Sequence, residues 1–452
     1  MTLLIISPDY ASHLFPLATL GTEWQRAGER VVVASGPATA DIVAAFGFER
    51  VNLQLGRGSN PGTIRAEEQP KGEDDALRGF FDATRRGMAK TLTFQAEARS
   101  SDLLYNPVEI ARAVQLLVEQ VRPDRVIVDH LAFSARLGLL SAGVRHADVV
   151  LGHPSALPVA GEVYGYPPAW PAVFEPAAAE LAELRALCEG VRDSFTSQWN
   201  AALLELDPGA TPSTDAFQET GDVLLLNYPE ELHDPARTAL LPPHRFLGSA
   251  VRDELVDAEV EAWVAGSDLP VVYVSFGSFL AVRGDVLGRV ADAVRQLDAD
   301  GTVDGARGVR VAMAVGPTDP CELGPIPDSW LVRGFLPQVR LLGAAAVAVS
   351  HAGNNSVTEA MTAGVPLVLL PFSTDQFAGA AALEDAGVGV ALDPNAASAA
   401  DIRAAIDRML ALAPEPRARL DALGRSLRGS LLLGGAGPRR AFEALEALPA
   451  AR

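Results

Sequence analysis

The side chains best suited to chemistry in this chain are concentrated between Ser350 and Glu359, where a histidine, two asparagines and a serine accompany Gly353. They follow a short apolar run, 347–349, that is typical of a buried parallel strand, and they open a segment with helical apolar spacing. Free amides at the start of a helix, the positive end of its dipole and a glycine that permits close approach all attract an anion. The segment therefore predicts a diphosphate site.

The side chains around this turn extend the prediction to a nucleotide-sugar. His351 can donate a hydrogen bond, and Asn355 and Ser356 can add polar contacts. Glu359 lies one helical turn after Asn355, on the same face, and its carboxylate can accept both hydroxyls of a ribose. The alternative is an ordinary strand-to-helix connection with a capped helix start.

The longer stretch from Phe335-Leu336-Pro337-Gln338 to Asp375-Gln376 resembles the nucleotide-sugar signature of family 1 glycosyltransferases, of the bacterial natural-product type. In that family an aromatic residue at the position of Phe335, usually Trp, stacks on the base, and the closing Asp-Gln pair binds the sugar hydroxyls. Ala352 and Asn354 replace a Gly and a Trp that are common in the motif. The resemblance implies that the donor is bound by Gly277, Ser278, Phe335, Leu336, Gln338, His351, Gly353, Asn355, Ser356, Glu359, Asp375 and Gln376.

A second centre is indicated by His13, which follows the predicted strand 3–6. We place it in a loop at the carboxyl end of that strand, where open α/β sheets bind ligands. Family 1 glycosyltransferases carry their catalytic histidine in this loop, usually as Gly-His with a proline shortly after, and Ser12 and Pro16 flank it in this chain. The resemblance implies that His13 is the catalytic base, although a histidine standing alone is more often a hydrogen-bonding surface residue.

Asp129 is the candidate partner of His13, since it ends the apolar run 126–128 and should emerge at the same sheet edge. A base of this kind needs a carboxylate that fixes its tautomer and stabilises its cationic form. The family has an Asp in this role at the end of this strand. Asp129 could alternatively cap the helix that follows, and the two roles are compatible.

Apolar strands alternate with helical stretches along the chain, which is the pattern of parallel sheets covered by helices on both faces. A proline-rich connection follows the strand 223–226, and a new series of strands begins at residue 271. We therefore predict an α/β fold with two facing Rossmann-like open parallel sheets, which the resembled family calls GT-B. We predict an N-terminal acceptor-binding domain (1–246), a C-terminal nucleotide-sugar-binding domain (247–435) and a final helix (436–452) that packs back on the first domain.

The composition suits a large enzyme of the cytoplasm. The chain has 452 residues, 48% of them hydrophobic, which is ample for two cores. A net charge of −20 argues against a nucleic-acid partner and gives no reason to expect a membrane partner. We find no apolar run that could span a bilayer and no signal peptide. Two cysteines provide neither a disulfide framework nor a thiol metal cluster.

Metal dependence is suggested only by Asp298-Ala299-Asp300, a carboxylate spacing with which other glycosyltransferases hold a metal. We interpret it as a solvated helix end. The helix start, His351 and hydroxyl groups can neutralise a leaving diphosphate without Mg²⁺. We therefore expect no metal and no cofactor other than the nucleotide-sugar, which is a co-substrate.

Aromatic residues mark a candidate acceptor site. The residues are Tyr164, Tyr166, Trp170 and Phe174, which are interleaved with prolines. Beside a cleft they would suit an apolar, ring-containing natural product, whereas packing of a loop on the core explains them equally well. Residues 56–100, rich in glycine and charge, resemble a mobile flap.

The sequence thus predicts an inverting, metal-independent glycosyltransferase that moves a sugar from a UDP- or TDP-sugar to a small acceptor. One alternative is a nucleotide-sugar epimerase of GT-B fold, and another is a non-catalytic nucleotide-sugar-binding auxiliary protein. The identities of the sugar, base and acceptor, the attacking atom and the oligomeric state stay open.

Overall fold

The computed structural model describes residues 1–300, 302–303, 306–429 and 436–451. Residues 435 and 452, on which two predicted domain limits fall, lie outside the described residues. The strands are β1 (Thr2–Ile6), β2 (Arg30–Ser35), β3 (Glu49–Asn52), β4 (Arg125–Asp129), β5 (Ala147–Val150), β6 (Val223–Leu226), β7 (His244–Phe246), β8 (Val271–Ser275), β9 (Thr302–Val303), β10 (Ala306–Arg307), β11 (Arg310–Ala314), β12 (Leu331–Arg333), β13 (Ala345–Ser350), β14 (Leu367–Leu369) and β15 (Gly389–Ala391).

Helices connect most of these strands. They are α1 (Ala11–Arg26), α2 (Ala40–Ala45), α3 (Glu73–Thr84), α4 (Met88–Asp102), α5 (Pro107–Val121), α6 (Phe133–Ser141), α7 (Ala178–Leu206), α8 (Pro235–Thr238), α9 (Ala258–Ala265), α10 (Gly277–Leu280), α11 (Gly284–Asp300), α12 (Gln338–Leu342), α13 (Asn354–Ala363), α14 (Gln376–Asp385), α15 (Ala399–Leu410), α16 (Pro414–Arg428) and α17 (Ala436–Glu446). None of the helices within the described ranges combines the length and apolar character needed to cross a bilayer.

The predicted pair of open parallel sheets is confirmed. The first sheet has the strand order β3-β2-β1-β4-β5-β6-β7, and the second has the order β12-β11-β8-β13-β14-β15. Every pairing given for these two sheets is parallel. In each sheet the strand order reverses between two central neighbours, β1 and β4 in the first and β8 and β13 in the second. Ligands of open α/β sheets bind at such reversals, outside the carboxyl ends of the strands.

Burial on both faces explains why the central strands are continuously apolar. In β1, Leu3 and Ile5 pack toward α1, whereas Leu4 packs on the other face with Val114 of α5. Parallel strands covered by helices on both sides show this pattern, because neither face is left for polar residues.

The first sheet extends further along the chain than the sequence pattern indicates. Strand β7 lies inside the predicted proline-rich connection, directly after Pro242 and Pro243, and it is an edge strand. Proline is tolerated beside an edge strand because no neighbour needs its missing amide. The first sheet ends at Phe246 and the second begins at Val271.

Helix α17 packs on α1, with the ring centroids of Phe442 and Trp24 5.0 Å apart.

Candidate active site

A cleft of about 700 Å³ lies between the first sheet with its helices, called the first domain below, and the second sheet with its helices, called the second domain. Its walls are formed by segments at the carboxyl ends of β1 and β4 on one side and of β8 and β13 on the other. These are the four strands at which the two sheets reverse their order, so the topology alone brings four separate parts of the chain to one place.

His13 and Asp129 form a hydrogen-bonded pair in this cleft. The Nδ1 atom of His13 lies 2.7 Å from Oδ2 of Asp129, which is 1% exposed, whereas the histidine side chain is 26% exposed. With Nδ1–H donated to the carboxylate, Nε2 is the nitrogen left to accept a proton. Contrary to the predicted loop position, His13 lies in the first turn of α1.

The pair alters the protonation of the imidazole. Burial lowers the pKa of His13, but the charge of Asp129, its hydrogen bond and the charge of Asp375 together outweigh burial and raise the pKa above 6.5. Asp129 also accepts a hydrogen bond from the amide of Leu131 through Oδ1 (2.8 Å), in the turn that precedes α6. The carboxylate therefore pairs with His13 and organises the following turn at the same time.

On the opposite wall, the ring of His351 lies between two glycine turns. A Cβ atom on Gly277 would lie 2.7 Å from the Cε1 atom of this ring, and a Cβ atom on Gly353 would overlap Nε2. Burial lowers the pKa of His351 to about 4, so the ring is neutral at pH 7. A neutral imidazole can still donate one N–H to a phosphate oxygen, although it adds no positive charge.

The start of α13 has the features of an anion site. No side chain caps the helix at Gly353, and the first amides of a helix have no partner within it. Ala352, where a glycine is common in the resembled motif, has a positive φ of 63°. The main chain thus keeps a glycine-like turn with an alanine in it.

Three polar groups of the second domain contact the first domain across the cleft. The Nδ2 atom of Asn355 donates to the carbonyl oxygen of Ser12 (2.8 Å). The neighbouring Asn354 donates to the carbonyl oxygens of Leu151 (2.7 Å) and Asn227 (2.9 Å). The hydroxyl of Ser278, predicted at the diphosphate, accepts a hydrogen bond from Nδ2 of Asn60 (3.2 Å). The domains are therefore in contact through residues predicted to bind the donor.

The predicted base-binding segment lines the same cleft. The ring of Phe335 is 65% exposed, whereas Leu336 beside it is buried. Gln338 contacts the hydroxyl groups of Tyr273 (3.3 Å) and Ser356 (3.4 Å). An exposed aromatic face beside a polar network is suited to stacking on a nucleobase.

Glu359 is less accessible than the sequence indicates. Its carboxylate is 5% exposed, does not line the cleft, and accepts hydrogen bonds from Gln338 (2.6 Å) and Arg252 (3.0 Å). Burial raises the pKa of Glu359 despite the opposing charge of Arg252.

Asp375 and Gln376 line the cleft but also have partners in the protein. Asp375 accepts a hydrogen bond through Oδ2 from the amide of His153 (2.7 Å), in the first domain. Gln376 accepts hydrogen bonds from the amides of Phe372 (2.9 Å) and Ser373 (3.1 Å), so it fixes the loop that precedes α14.

The structure divides the predicted acceptor aromatics into two groups. Tyr164 and Tyr166 line the cleft. Trp170 and Phe174 are absent from its wall and pack in the hydrophobic cluster behind it. Within the segment predicted to be a flap, Glu73–Thr84 form α3 and Met88 begins α4, and the two helices supply further apolar wall from Phe80 and Phe94.

Arg252 is a charged cleft residue that no sequence motif indicates. It lies in the connection between the domains, outside every motif, and its guanidinium contacts Glu359, Glu254 and the ring of Phe15. Nothing in the local sequence distinguishes it from other arginines.

Among the described residues, no group of three or more His, Cys, Asp or Glu side chains is arranged to hold a metal ion.

Comparisons with known proteins agree with this architecture. The family model described as UDP-glucoronosyl and UDP-glucosyl transferase matches residues 190–413. NDP-glycosyltransferase YjiC of Bacillus licheniformis is 28% identical over 164 residues, which cover 36% of this chain and only 39% of that relative. Glycosyltransferase GtfE of Amycolatopsis orientalis is 27% identical over 435 residues, covering 93% of this chain and 91% of the relative.

Solved structures extend the similarity to the whole fold. Spinosyn rhamnosyltransferase SpnG, solved in complex with thymidine diphosphate, matches with a TM-score of 0.64 and 17% identity, over 99% of this chain and 100% of that chain. At this identity the match concerns the fold alone, and it agrees with the two facing parallel sheets. With the family model and the sequence relatives, it identifies this chain as a glycosyltransferase of GT-B fold.

Proposed function

We propose that this protein is an inverting glycosyltransferase that moves a sugar from a UDP- or TDP-sugar to a hydroxyl of a small, apolar natural product. The observation that carries the proposal is the His13–Asp129 pair, which faces the same cleft as the uncapped start of α13. A base and an anion site on opposite walls are the two parts that such a transfer requires.

In the proposed reaction, Nε2 of His13 takes the proton of the acceptor hydroxyl. Asp129 holds the imidazole in the required tautomer and stabilises the imidazolium that forms. The acceptor oxygen attacks the anomeric carbon as the bond from that carbon to the diphosphate oxygen breaks on the opposite face, which inverts the configuration.

The departing diphosphate is stabilised by the protein without a metal in this proposal. The first amides of α13 and the positive end of its dipole face the developing charge, and His351 adds one neutral N–H donor. Tight packing of His351 against Gly277 and Gly353 supports a fixed position for that donor.

The relatives support a nucleoside diphosphate sugar as donor. One is named an NDP-glycosyltransferase, and SpnG was solved with thymidine diphosphate. The acceptor proposal rests on the cleft wall, where Phe80, Phe94, Tyr164 and Tyr166 offer aromatic surface for a ring-containing molecule. We also propose that the protein acts in the cytoplasm.

The direct test begins with calorimetric titration of UDP and TDP. A screen of hydroxylated aromatic and polyketide acceptors with the matching donor then detects transfer as a mass increase of one sugar. NMR of the product should show inverted anomeric configuration relative to the donor. Retained configuration would exclude the proposed single displacement.

Two other functions make different predictions in the same assays. An epimerase of GT-B fold would isomerise the sugar when incubated with donor alone. A non-catalytic auxiliary protein would bind the nucleotide-sugar and transfer nothing to any acceptor. Paired His13 and Asp129 argue against the auxiliary role, because binding alone requires no base.

A further inference from the structure

The carboxylate of Glu359 is closed off from the cleft by its own neighbours. Oε1 accepts a hydrogen bond from Nη1 of Arg252, and Oε2 accepts one from Nε2 of Gln338. The side chain is buried and forms no part of the cleft wall. A ligand can reach this carboxylate only if Arg252 or Gln338 moves.

Arg252 is held in place on three sides. Nη1 bonds to Glu359, Nη2 bonds to Glu254 (2.8 Å), and the guanidinium lies 4.9 Å from the centre of the Phe15 ring. Its side chain is largely buried yet forms part of the cleft wall. The group that a ligand meets in front of Glu359 is therefore a guanidinium, which has N–H donors and no acceptor.

The position of a ribose follows from its two neighbours. If the base stacks on Phe335 and the diphosphate lies at the start of α13, the sugar of the nucleoside spans the space between them. Gln338 and Ser356 border that space on one side, and Arg252 and Glu359 lie behind it.

We propose that Arg252 determines which nucleoside the donor site accepts: by occupying Glu359 it denies a ribose 2′-hydroxyl that carboxylate as an acceptor, so the site favours 2′-deoxynucleoside diphosphates. The inference rests on the function proposed above and goes beyond it, because that function leaves the nucleoside open.

The physical reason is the cost of a buried hydroxyl that has lost its strongest acceptor. In water the 2′-hydroxyl donates a hydrogen bond, whereas in this site the carboxylate that could accept its proton is already paired with Arg252 and Gln338, so a ribonucleotide exchanges that bond for a weaker contact on binding. A deoxynucleotide carries no such group. Because the 3′-hydroxyl is common to both, the difference reports on the 2′ position alone.

The test is calorimetric titration of the full-length protein with UDP, dUDP and TDP. UDP and dUDP differ only in the 2′-hydroxyl, and dUDP and TDP differ only in the base methyl, so the ratio of the first two Kd values isolates the sugar. We expect the wild-type protein to bind dUDP about ten-fold tighter than UDP.

Variants assign the effect to Arg252. Arg252→Ala exposes the Glu359 carboxylate to the 2′-hydroxyl, so the dUDP preference should fall to about two-fold or less, mainly through tighter UDP binding. Adding Glu359→Met removes that carboxylate as well, and the preference should return. Arg112→Ala is the matched control, because this arginine is exposed, pairs with Glu205 and lies outside the cleft wall. It should leave the ratio of the UDP and dUDP Kd values unchanged.

A variant that fails to fold does not end the test. Arg252→Lys keeps the positive charge, but a lysine side chain has one nitrogen and cannot pair with Glu359 and Glu254 in the way that the guanidinium does. The preference for dUDP over UDP should therefore again fall below the wild-type value. Equal binding of UDP and dUDP by the wild-type protein, or an unchanged ratio in a folded Arg252 variant, overturns the inference alone. Failure of the wild-type protein to bind any of the three nucleotides overturns the proposed function.

Discussion

The side-chain amide of Asn355 donates a hydrogen bond to the carbonyl oxygen of Ser12, the residue before His13 (2.8 Å). The two residues are 343 positions apart in the chain and belong to different domains. The helix proposed to bind the diphosphate is thus tied directly to the segment that carries His13. This contact therefore helps to set the position of His13 relative to α13.

Asn355→Ala should consequently lower kcat more than it weakens nucleotide binding. We expect a loss of about ten-fold in kcat, because a small displacement of the His13 imidazole weakens its alignment with the acceptor hydroxyl. Asn354→Ala is the comparison, since its amide bonds to Leu151 and Asn227 instead of the His13 segment. Steady-state kinetics and nucleotide titration separate the two effects. A variant with normal kcat and weakened nucleotide binding would show that Asn355 serves only the donor.

The pH profile of transfer should report on His13. Because the pKa of the imidazole is raised and a general base must be neutral, kcat/KM should decline as the pH falls through a value above 6.5. Asp129→Asn removes the charge that opposes burial, so the acid limb should move to lower pH and kcat should drop by about a hundred-fold. Circular dichroism checks that the variant is folded. An acid limb at the same pH in both proteins would assign the titration to another group.

Phe335 should contribute to nucleotide binding and very little to stability. Its ring is 65% exposed, so Phe335→Ala should leave the unfolding midpoint unchanged. Loss of base stacking should weaken nucleotide binding by about five-fold to a hundred-fold, whereas Phe335→Trp should retain it. Leu255→Ala, at a 94% exposed apolar residue outside the cleft wall, is the control. Normal nucleotide affinity in Phe335→Ala would place the base elsewhere.

Much of this organisation can be predicted from the sequence because it depends on local patterns. The order of strands and helices, the turn before α13 and an aspartate at the end of β4 are all visible in short windows. The parallel sheets then bring His13 and Asp129 together, since β1 and β4 are neighbours.

What the sequence does not show is which polar groups are already occupied. The bonds from Arg252 to Glu359 and from His153 to Asp375 join residues 107 and 222 positions apart. No local pattern encodes such contacts, because they depend on how the two domains and their connection pack. The same reason explains why the sequence does not show that Trp170 and Phe174 pack in a hydrophobic cluster. Aromatic side chains suit a cleft wall and a packed cluster equally well.

Ala352→Gly should stabilise the protein. Alanine at a φ of 63° carries about 1–2 kcal/mol of steric strain, and the greater freedom of glycine in the unfolded chain offsets roughly half of this. We expect a gain of up to about 1 kcal/mol in the free energy of unfolding, measured with urea. Gly364→Ala, at a φ of 76° at the other end of α13, should have the opposite sign. Equal effects of the two changes would show that backbone strain is not responsible.

The central claim is that His13 takes a proton from the acceptor while the second domain holds the donor. It is tested most directly by measuring single-turnover transfer and nucleotide affinity in His13→Ala. The account predicts that transfer falls by at least about a hundred-fold, whereas the Kd for the nucleotide stays within about two-fold of wild type. Transfer at the wild-type rate by the folded variant would contradict it.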